Sequence, residues 1–107
     1  MNILVVEPGK HPYAKDIPKT LEAMQETVGG YIQAIYPFED MVALVCDEEG
    51  LFKPEQKWNR HVDSRTVIKG TFFICGLDED DFTDLSPELT KKYRHYFNGI
   101  EYFDKEV

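Results

Sequence analysis

Met41-Val42-Ala43-Leu44-Val45-Cys46 is an unbroken apolar run that ends at the polar sequence Asp47-Glu48-Glu49-Gly50. A strand with one face in water alternates between apolar and polar residues, whereas a strand covered on both faces is continuously apolar. The polar residues that follow are typical of a turn. The run therefore predicts a central strand of a sheet that other elements cover on both faces.

Further strands are indicated on the N-terminal side of this run. Residues 31–36 are rich in aromatic and β-branched side chains, and a turn at Pro37–Asp40 would join them to the central strand. Residues 2–6 form a short apolar strand that ends at the Pro8-Gly9 turn. Residues 13–17 are placed to return as its hairpin partner.

On the C-terminal side, residues 66–75 return to strand character. Gly70 and Gly76 punctuate this apolar segment, and we expect both to be required by backbone geometry, since glycine weakens a strand unless another chain segment approaches closely. Residues 51–65 have no clean period, so they predict a long loop.

Two helices are indicated by their ends. Pro18 suits a first helical turn that Asp16 would cap, apolar residues recur at helical spacing across 21–28, and Gly29-Gly30 ends the pattern. Ser86-Pro87-Glu88 supplies a hydroxyl cap, a proline at the first position and an acid in the first turn of a second helix.

These elements predict an α+β fold with a single mixed or antiparallel sheet of about four to five strands and two helices. The length of 107 residues is that of one ordinary domain, so we expect residues 1–107 to form a single α+β domain.

The charge excludes several classes of protein. With 20 acidic against 12 basic side chains, the formal net charge is −8, which disfavours direct binding to nucleic acid. No apolar run reaches the roughly 18 residues of a membrane span, and no signal-peptide core is present, so we expect a cytoplasmic protein. Cys46 and Cys75 lie inside apolar runs, which predicts two reduced, buried cysteines that are not bonded to each other.

A local basic segment interrupts this acidity. Residues 53–69 carry five basic and two acidic side chains, a net charge of +3, so the other 90 residues sum to −11. Within the segment, Trp58-Asn59-Arg60 combines a ring that can stack on a base, an amide that can read a base edge and a guanidinium that can pair with phosphate. The predicted ligand-binding residues are Lys57, Trp58, Asn59, Arg60, Arg65 and Lys69, with Lys53 as a further cation of the segment.

A purely structural interpretation of this segment stays open. Trp58 would then fill the core, and the basic side chains would belong to an ordinary solvated loop. Arg60 itself has two alternative roles: it clamps an anionic ligand with its planar fork, or it ties the loop down by pairing with a nearby carboxylate.

No catalytic or metal-binding constellation stands out. The acidic stretch 78–81 fails the calcium-loop template, because Thr83 occupies the position that needs glycine. His11, His61 and His95 are far apart in sequence and lack ligand partners at metal spacing. Neither the phosphate-cradle nor the dinucleotide glycine pattern is present. We therefore predict no enzyme, no metal and no cofactor.

Read as a whole, the chain resembles a family of small phage and mobile-element proteins from Gram-positive bacteria, domain of unknown function family 3846. The resemblance extends over about positions 3 to 82 and is specific because the matching words are long. Those words are VVEPG at 5–9, Leu21 through Gln25, VGGYIQAIYPFED at 28–40, VALVCDEEG at 42–50, Asn59-Arg60 and GTFFICG at 70–76. The family pattern often has leucine where this chain has Trp58, so the indole is not part of the resemblance.

The resemblance implies a phage or prophage accessory protein and supplies no catalytic residues. Such proteins commonly act by binding. The first hypothesis is a non-enzymatic protein that binds a small anionic, nucleotide-type ligand and sequesters a signal of host defence. The alternative is an acidic protein-interaction module or DNA mimic that inhibits a host DNA-binding protein. The expected partner is thus a small anionic ligand or a host protein, and the sequence also allows a homo-oligomer.

For that alternative, the carboxylates would have to form a continuous ridge on the surface. The residues concerned are Glu39, Asp40, Asp47, Glu48, Glu49, Asp78, Glu79, Asp80, Asp81 and Asp84.

Overall fold

A computed structural model of the chain describes residues 1–103, so the last four residues of the predicted domain lie outside the described part. Two sheets and two helices make up this part. The strands are β1 (Asn2–Val6), β2 (Tyr13–Asp16), β3 (Ile32–Ile35), β4 (Val42–Asp47), β5 (Trp58–His61), β6 (Val67–Lys69), β7 (Phe72–Asp78) and β8 (Asp81–Thr83). The helices are α1 (Leu21–Val28) and α2 (Pro87–Tyr96), and a 3-10 helix spans Gly50–Phe52.

The larger sheet is antiparallel, with the strand order β2-β1-β7-β4-β3, and β8 pairs with the end of β7. The α+β class with an antiparallel sheet and two helices is confirmed. This sheet has six strands rather than four or five, because the acidic turn after β7 folds back as β8. Every residue of β4 is buried, and β4 lies between β7 and β3, so the predicted central strand is also confirmed.

The two faces of the larger sheet carry separate apolar clusters. On one face, Val45 and Phe73 pack with Met24 and Val28 of α1. On the other face, residues such as Leu44 pack against α2 and against the second sheet. This layered arrangement explains why β4 is continuously apolar. No helix among residues 1–103 is both long and apolar enough to cross a membrane.

The capping residue of α2 is the predicted one, whereas that of α1 is not. Ser86 caps α2 by accepting a hydrogen bond from the Leu89 N–H, as predicted. The cap of α1 is Thr20 and not Asp16, since the helix begins only at Leu21. Asp16 belongs to β2, where its carboxylate lies 2.9 Å from the amino group of Met1.

The segment 51–65, predicted as a long loop, contains a strand. β5 pairs with β6 to form a separate antiparallel hairpin. The strand gave no apolar alternation because its two inward residues are the polar Asn59 and Arg60, which lie side by side at a register shift in the pairing. We call β5, β6 and the turn between them the β5–β6 hairpin.

The predicted strand at 66–75 is divided between the two sheets at Gly70. The φ angle of +84° at Gly70 turns the chain from the β5–β6 hairpin into β7, and an added Cβ would lie 2.7 Å from Gln56 Oε1. At Gly76 an added Cβ would collide with the backbone oxygen of Asp84. Both glycines are therefore required by backbone geometry, as predicted.

The two cysteines lie on opposite faces of the larger sheet, Cys46 beside α2 and the β5–β6 hairpin and Cys75 beside α1. Both are buried and free, as predicted. Burial raises the pKa of the Cys46 thiol to about 11 and that of the Cys75 thiol to about 12.

We expect both thiols to resist iodoacetamide at neutral pH in the folded protein, because the thiolate is the reactive form. Complete alkylation should follow unfolding in guanidinium chloride. Mass spectrometry of native and unfolded samples checks this, and rapid native labelling of Cys75 would contradict it.

Candidate functional site

The structure divides the six predicted ligand-binding residues into two groups. One group lies on the surface of the β5–β6 hairpin, and the other is buried beneath it. The surface group is Lys57, Trp58, Arg65 and Lys69, and the buried group is Asn59 and Arg60. The alternative in which Trp58 fills the core is wrong, because Trp58 is 39% exposed whereas Arg60 is 1% exposed.

The buried pair holds several chain segments together. Arg60 donates from Nε to the Phe97 carbonyl oxygen at 3.1 Å and from Nη2 to the Lys10 carbonyl oxygen at 2.6 Å. Its Nη1 donates to Asn59 Oδ1 at 2.7 Å. Asn59 Nδ2 in turn donates to the carbonyl oxygens of Val6 and Gly70. The guanidinium thus joins the β1–β2 turn to the C-terminal end of α2.

This geometry is that of a structural tie, although the acceptors are not the carboxylates that the sequence suggested. The last carbonyl groups of a helix have no partner within the helix, and the Phe97 carbonyl, just beyond α2, is of this kind. A guanidinium carries five donors in a rigid fork, so it can satisfy several such oxygens at once. Arg60 has its donors directed at the protein and not at solvent.

The exposed face of the hairpin centres on Trp58. The Lys69 ammonium lies 5.4 Å from the centroid of the indole ring, within the range of a cation–π contact. The Phe103 ring centroid is 5.9 Å from the indole centroid. The indole thus has both Lys69 and Phe103 as neighbours.

The C-terminal segment is fastened to the same hairpin face. Glu101 accepts a hydrogen bond from the His61 backbone N–H at 2.8 Å, and its other oxygen lies 2.6 Å from His61 Nδ1. The His61 ring also stacks on Phe103, with the centroids 5.9 Å apart. These contacts assign His61 a role in docking the C-terminal segment.

Arg65 lies in the turn of the hairpin, and its side chain is exposed. The turn closes on Asp63, whose Oδ1 accepts hydrogen bonds at 2.8 Å from the backbone N–H groups of both Arg65 and Thr66. These hydrogen bonds, that from Arg65 above all, lower the pKa of the Asp63 carboxyl. Because only the backbone of Arg65 serves the turn, its guanidinium is available for other contacts.

A cavity of about 200 Å³ lies between the β5–β6 hairpin and the outer end of the larger sheet, and we call it the hairpin cavity. Apolar groups form most of its lining. Its wall and floor include Gln33 and Ile35 of β3, Cys46 of β4, Leu51 and Phe52 of the 3-10 helix, and residues 66–69 leading through β6. Lys69 is therefore shared between the cavity and the Trp58 surface.

Phe52 was not among the predicted site residues. It lines the hairpin cavity, yet it is 84% exposed, and its neighbour Leu51 is 57% exposed. The 3-10 helix holds them at the rim, where Gly50 packs so closely that an added Cβ would lie 2.9 Å from the Lys69 carbonyl oxygen. An adjacent leucine and phenylalanine inside the polar segment 47–61 was the available signal.

The charged side chains around the cavity differ in whether they are already paired within the protein. The Asp47 carboxylate is buried and lies 2.7 Å from the Lys53 ammonium, and this hydrogen bond raises the pKa of Lys53. Lys53 is therefore already paired. Among the cavity-lining residues, Lys69 is the cation and Glu48 is an exposed acid. Lys69 is thus the cationic side chain that lines this cavity.

The acidic residues of the alternative hypothesis lie at two ends of the larger sheet. Asp40 and the acids of the β7–β8 turn are at one end, and Asp47 is about 20 Å away at the other end of β4. Asp40 is paired with Lys92, and Asp81 with Lys19. The described part of the chain thus shows two separate acidic groups, partly neutralised by ion pairs.

Two wider but shallower depressions flank α2. One includes Lys91 and Arg94, and the other includes Lys92 and His95. Within residues 1–103, no group of three or more histidine, cysteine or acidic side chains is arranged to hold a metal ion. The hairpin cavity differs from these depressions in being more enclosed and in carrying an exposed aromatic ring at its rim.

Comparison with known proteins gives one match. A family model described as Domain of unknown function (DUF3846) matches residues 1–98, which is nearly the whole chain. No curated protein and no solved structure matched the chain.

Proposed function

We propose that the chain, which belongs to the DUF3846 family over residues 1–98, is a non-enzymatic protein that binds a small anionic, nucleotide-type ligand in the hairpin cavity. One observation carries this proposal: the apolar cavity has Phe52, 84% exposed, at its rim and Lys69 beside it. An exposed phenylalanine ring next to a cation suits a ligand that combines a planar ring with a negative charge.

The size of the cavity limits the part of the ligand that enters. Sites that enclose a whole drug-sized ligand measure roughly 300–1,000 Å³. At about 200 Å³, the hairpin cavity holds a single ring system, with the rest of the ligand outside. The Phe52 ring then covers one face of the bound ring. Thr66 and Gln33 supply a hydroxyl and an amide for the edge of the ring.

The anionic group lies at the Lys69 end in this arrangement. Lys69 is held near Trp58 and can donate to phosphate while its ammonium keeps the cation–π contact. Arg65 lies one residue before Thr66, which lines the cavity, and its exposed guanidinium can reach a second phosphate oxygen. Asn59 and Arg60 support this surface from below and do not contact the ligand.

Binding without turnover agrees with the groups that line the cavity. Cys46 is the nucleophile type with the greatest intrinsic reactivity among them, but burial raises the pKa of its thiol to about 11. The thiol is therefore protonated at neutral pH. A protein that holds a ligand without converting it can act by sequestration, and we place that activity in the cytoplasm as part of a phage or mobile-element counter-defence.

The acidic module or DNA mimic has less support. Such a protein needs a continuous acidic surface, whereas the acidic residues lie at two ends of the sheet and several are ion-paired. This alternative would be supported if the protein bound a DNA-binding protein with an affinity that falls steeply as the salt concentration rises.

The test is a thermal-shift and calorimetric screen of mononucleotides, cyclic nucleotides and dinucleotides. Any ligand that binds only the folded state raises the melting temperature by mass action. For the ligand found in this way, Lys69→Gln should weaken binding about 10- to 100-fold, because a charge-assisted hydrogen bond contributes about 1.5–3 kcal/mol. Phe52→Ala should have a similar effect through lost stacking.

The matched control is Lys91→Gln, which removes a lysine from the depression beside α2. It should leave affinity unchanged. Loss of binding in Lys91→Gln with normal binding in Lys69→Gln would place the site at α2. If no compound in the screen stabilises the protein, the proposed function is wrong.

A further inference from the structure

The outer edge of β3 is an open hydrogen-bonding edge. The Tyr31 carbonyl accepts a hydrogen bond from the Glu48 N–H, so Tyr31, Gln33 and Ile35 direct their backbone groups toward β4. By the alternation of antiparallel pairing, Ile32 and Ala34 direct theirs away from the sheet. Within residues 1–103, β3 pairs with β4 alone.

This edge carries no charged side chain, although charge is one of the common protections of an exposed edge strand. Residues 27–38 form twelve consecutive positions without a charged side chain. β2, at the opposite edge of the sheet, carries Lys15 and Asp16. Proteins commonly place charges on exposed edge strands because an uncharged edge is a template for another strand. In a chain with a net charge of −8, an uncharged edge marks the surface where a second copy can approach.

We propose that β3 pairs with β3 of a second copy of this chain, antiparallel and centred on Ala34. Ala34 then lies opposite Ala34 of the second copy, and Ile32 lies opposite Tyr36. Each pair of outward-facing residues exchanges two hydrogen bonds, about six in total. The two larger sheets become one continuous sheet.

A register centred on Gln33 forms two complete hydrogen-bonded pairs instead of three. It would place Tyr36 opposite Gly30, whose N–H already donates to the Gln25 carbonyl at the end of α1. In the Ala34 register, Pro37 falls at a position that faces its own sheet, so its missing N–H is not needed. The choice of register therefore follows from which backbone groups are unoccupied.

The pairing also changes the hairpin cavity. A two-fold axis perpendicular to the sheet keeps corresponding side chains on the same face. Gln33 and Ile35 line the cavity, so Ile35 of the second copy lies beside Gln33 on that face. The two cavities then lie next to each other across the axis. The pairing itself does not depend on the ligand proposed above.

The first test uses disulfide formation by single cysteines. Opposed residues of a hydrogen-bonded pair have Cα atoms about 5.5 Å apart, which a disulfide can bridge. Ala34→Cys should give a disulfide-linked dimer under mild oxidation, because Cys46 and Cys75 are buried and do not compete. Gln33→Cys should not, since Gln33 faces Ile35 and not itself in this register.

Ala14→Cys is the matched control at the other edge. Ala14 is an exposed edge-strand alanine, whereas Ala34 is half-buried. The Ala14 N–H points outward, because Ile17 donates to Met1 and thereby assigns Tyr13 and Lys15 to the inward positions. It should remain monomeric. Equal cross-linking of Ala14→Cys and Ala34→Cys would mean random collision and would overturn the proposal.

The second test removes the outward N–H. Ala34→Pro keeps every hydrogen bond to β4, because the Ala34 N–H faces away from it. Sedimentation should show dimers for the wild type and for Ala14→Pro and monomers for Ala34→Pro, with circular dichroism unchanged. A wild type that sediments as a monomer at the highest concentration reached, without cross-linking of Ala34→Cys, would overturn the proposal and leave the edge for another protein.

Discussion

Arg60→Ala is expected to lower the free energy of unfolding by about 4 kcal/mol, without changing ligand affinity in the molecules that remain folded. The guanidinium is 1% exposed and donates to three backbone carbonyls, those of Phe97, Lys10 and Glu7, and to the side-chain oxygen of Asn59. Alanine leaves these acceptors without their donors and opens a space beneath the β5–β6 hairpin. Each buried acceptor left unsatisfied costs roughly 1–3 kcal/mol, although water entering the space recovers part of this.

Thermal and urea unfolding of the variant measure this effect. The matched control is Arg65→Ala, where the side chain is exposed and only the backbone serves the hairpin turn. It should change stability by no more than about 0.5 kcal/mol. Arg60→Lys should be intermediate, because a lysine keeps the charge but loses the planar fork. If Arg60→Ala melts like the wild type yet no longer binds ligand, Arg60 is an anion clamp after all.

Gly76→Ala is expected to destabilise the protein by about 3 kcal/mol, which lowers the melting temperature by roughly 10–20 °C. The added Cβ collides with the Asp84 backbone oxygen and would also lie 3.2 Å from Thr83 Cγ2. Because the first obstacle is backbone, relief requires moving β8 away from β7. Gly76→Val should impair folding more severely.

Alanine variants at two other glycines show whether a loss of stability comes from steric collision or from backbone strain. Gly99→Ala meets nothing within 4 Å and should be nearly neutral. Gly9→Ala also meets nothing, but its φ of +75° strains an alanine, so a cost of about 1 kcal/mol is expected. Comparing the three melting temperatures distinguishes collision from dihedral strain. A Gly76→Ala variant as stable as Gly99→Ala would show that β8 yields easily.

The parts of the fold that could be predicted from sequence are those where apolar pattern and burial coincide. β4 is buried on both faces, and its sequence is an unbroken apolar run. The capping residue Ser86 indicates the start of α2. β5 could not be found in this way, because its inward residues are polar and are buried only through specific hydrogen bonds. β8 is three residues long and lies inside an acidic turn, too short for a periodic signal.

The candidate site could be predicted only in part for a related reason. Composition indicated the basic segment, and the structure places Lys69 beside the hairpin cavity. Which member of Trp58-Asn59-Arg60 faces solvent depends on the register shift in β5, which a sequence pattern does not reveal. The cavity also requires Gln33 and Ile35 from a distant strand. The cavity forms only where the two sheets pack against each other, so a sequence pattern does not reveal it.

The position of β7 in the sheet has a consequence during protein synthesis. β7 is the middle strand, and it pairs Leu4 with Ile74 and Val45 with Phe73. A chain leaves the ribosome from its N-terminus at about 5–20 residues per second. β1 and β4 therefore emerge without the partner that lies between them. Until β7 follows, the nascent chain can form its three hairpins, β1–β2, β3–β4 and β5–β6, but not the complete larger sheet. The apolar run of β4 therefore stays without its β7 partner until residue 78 has left the exit tunnel.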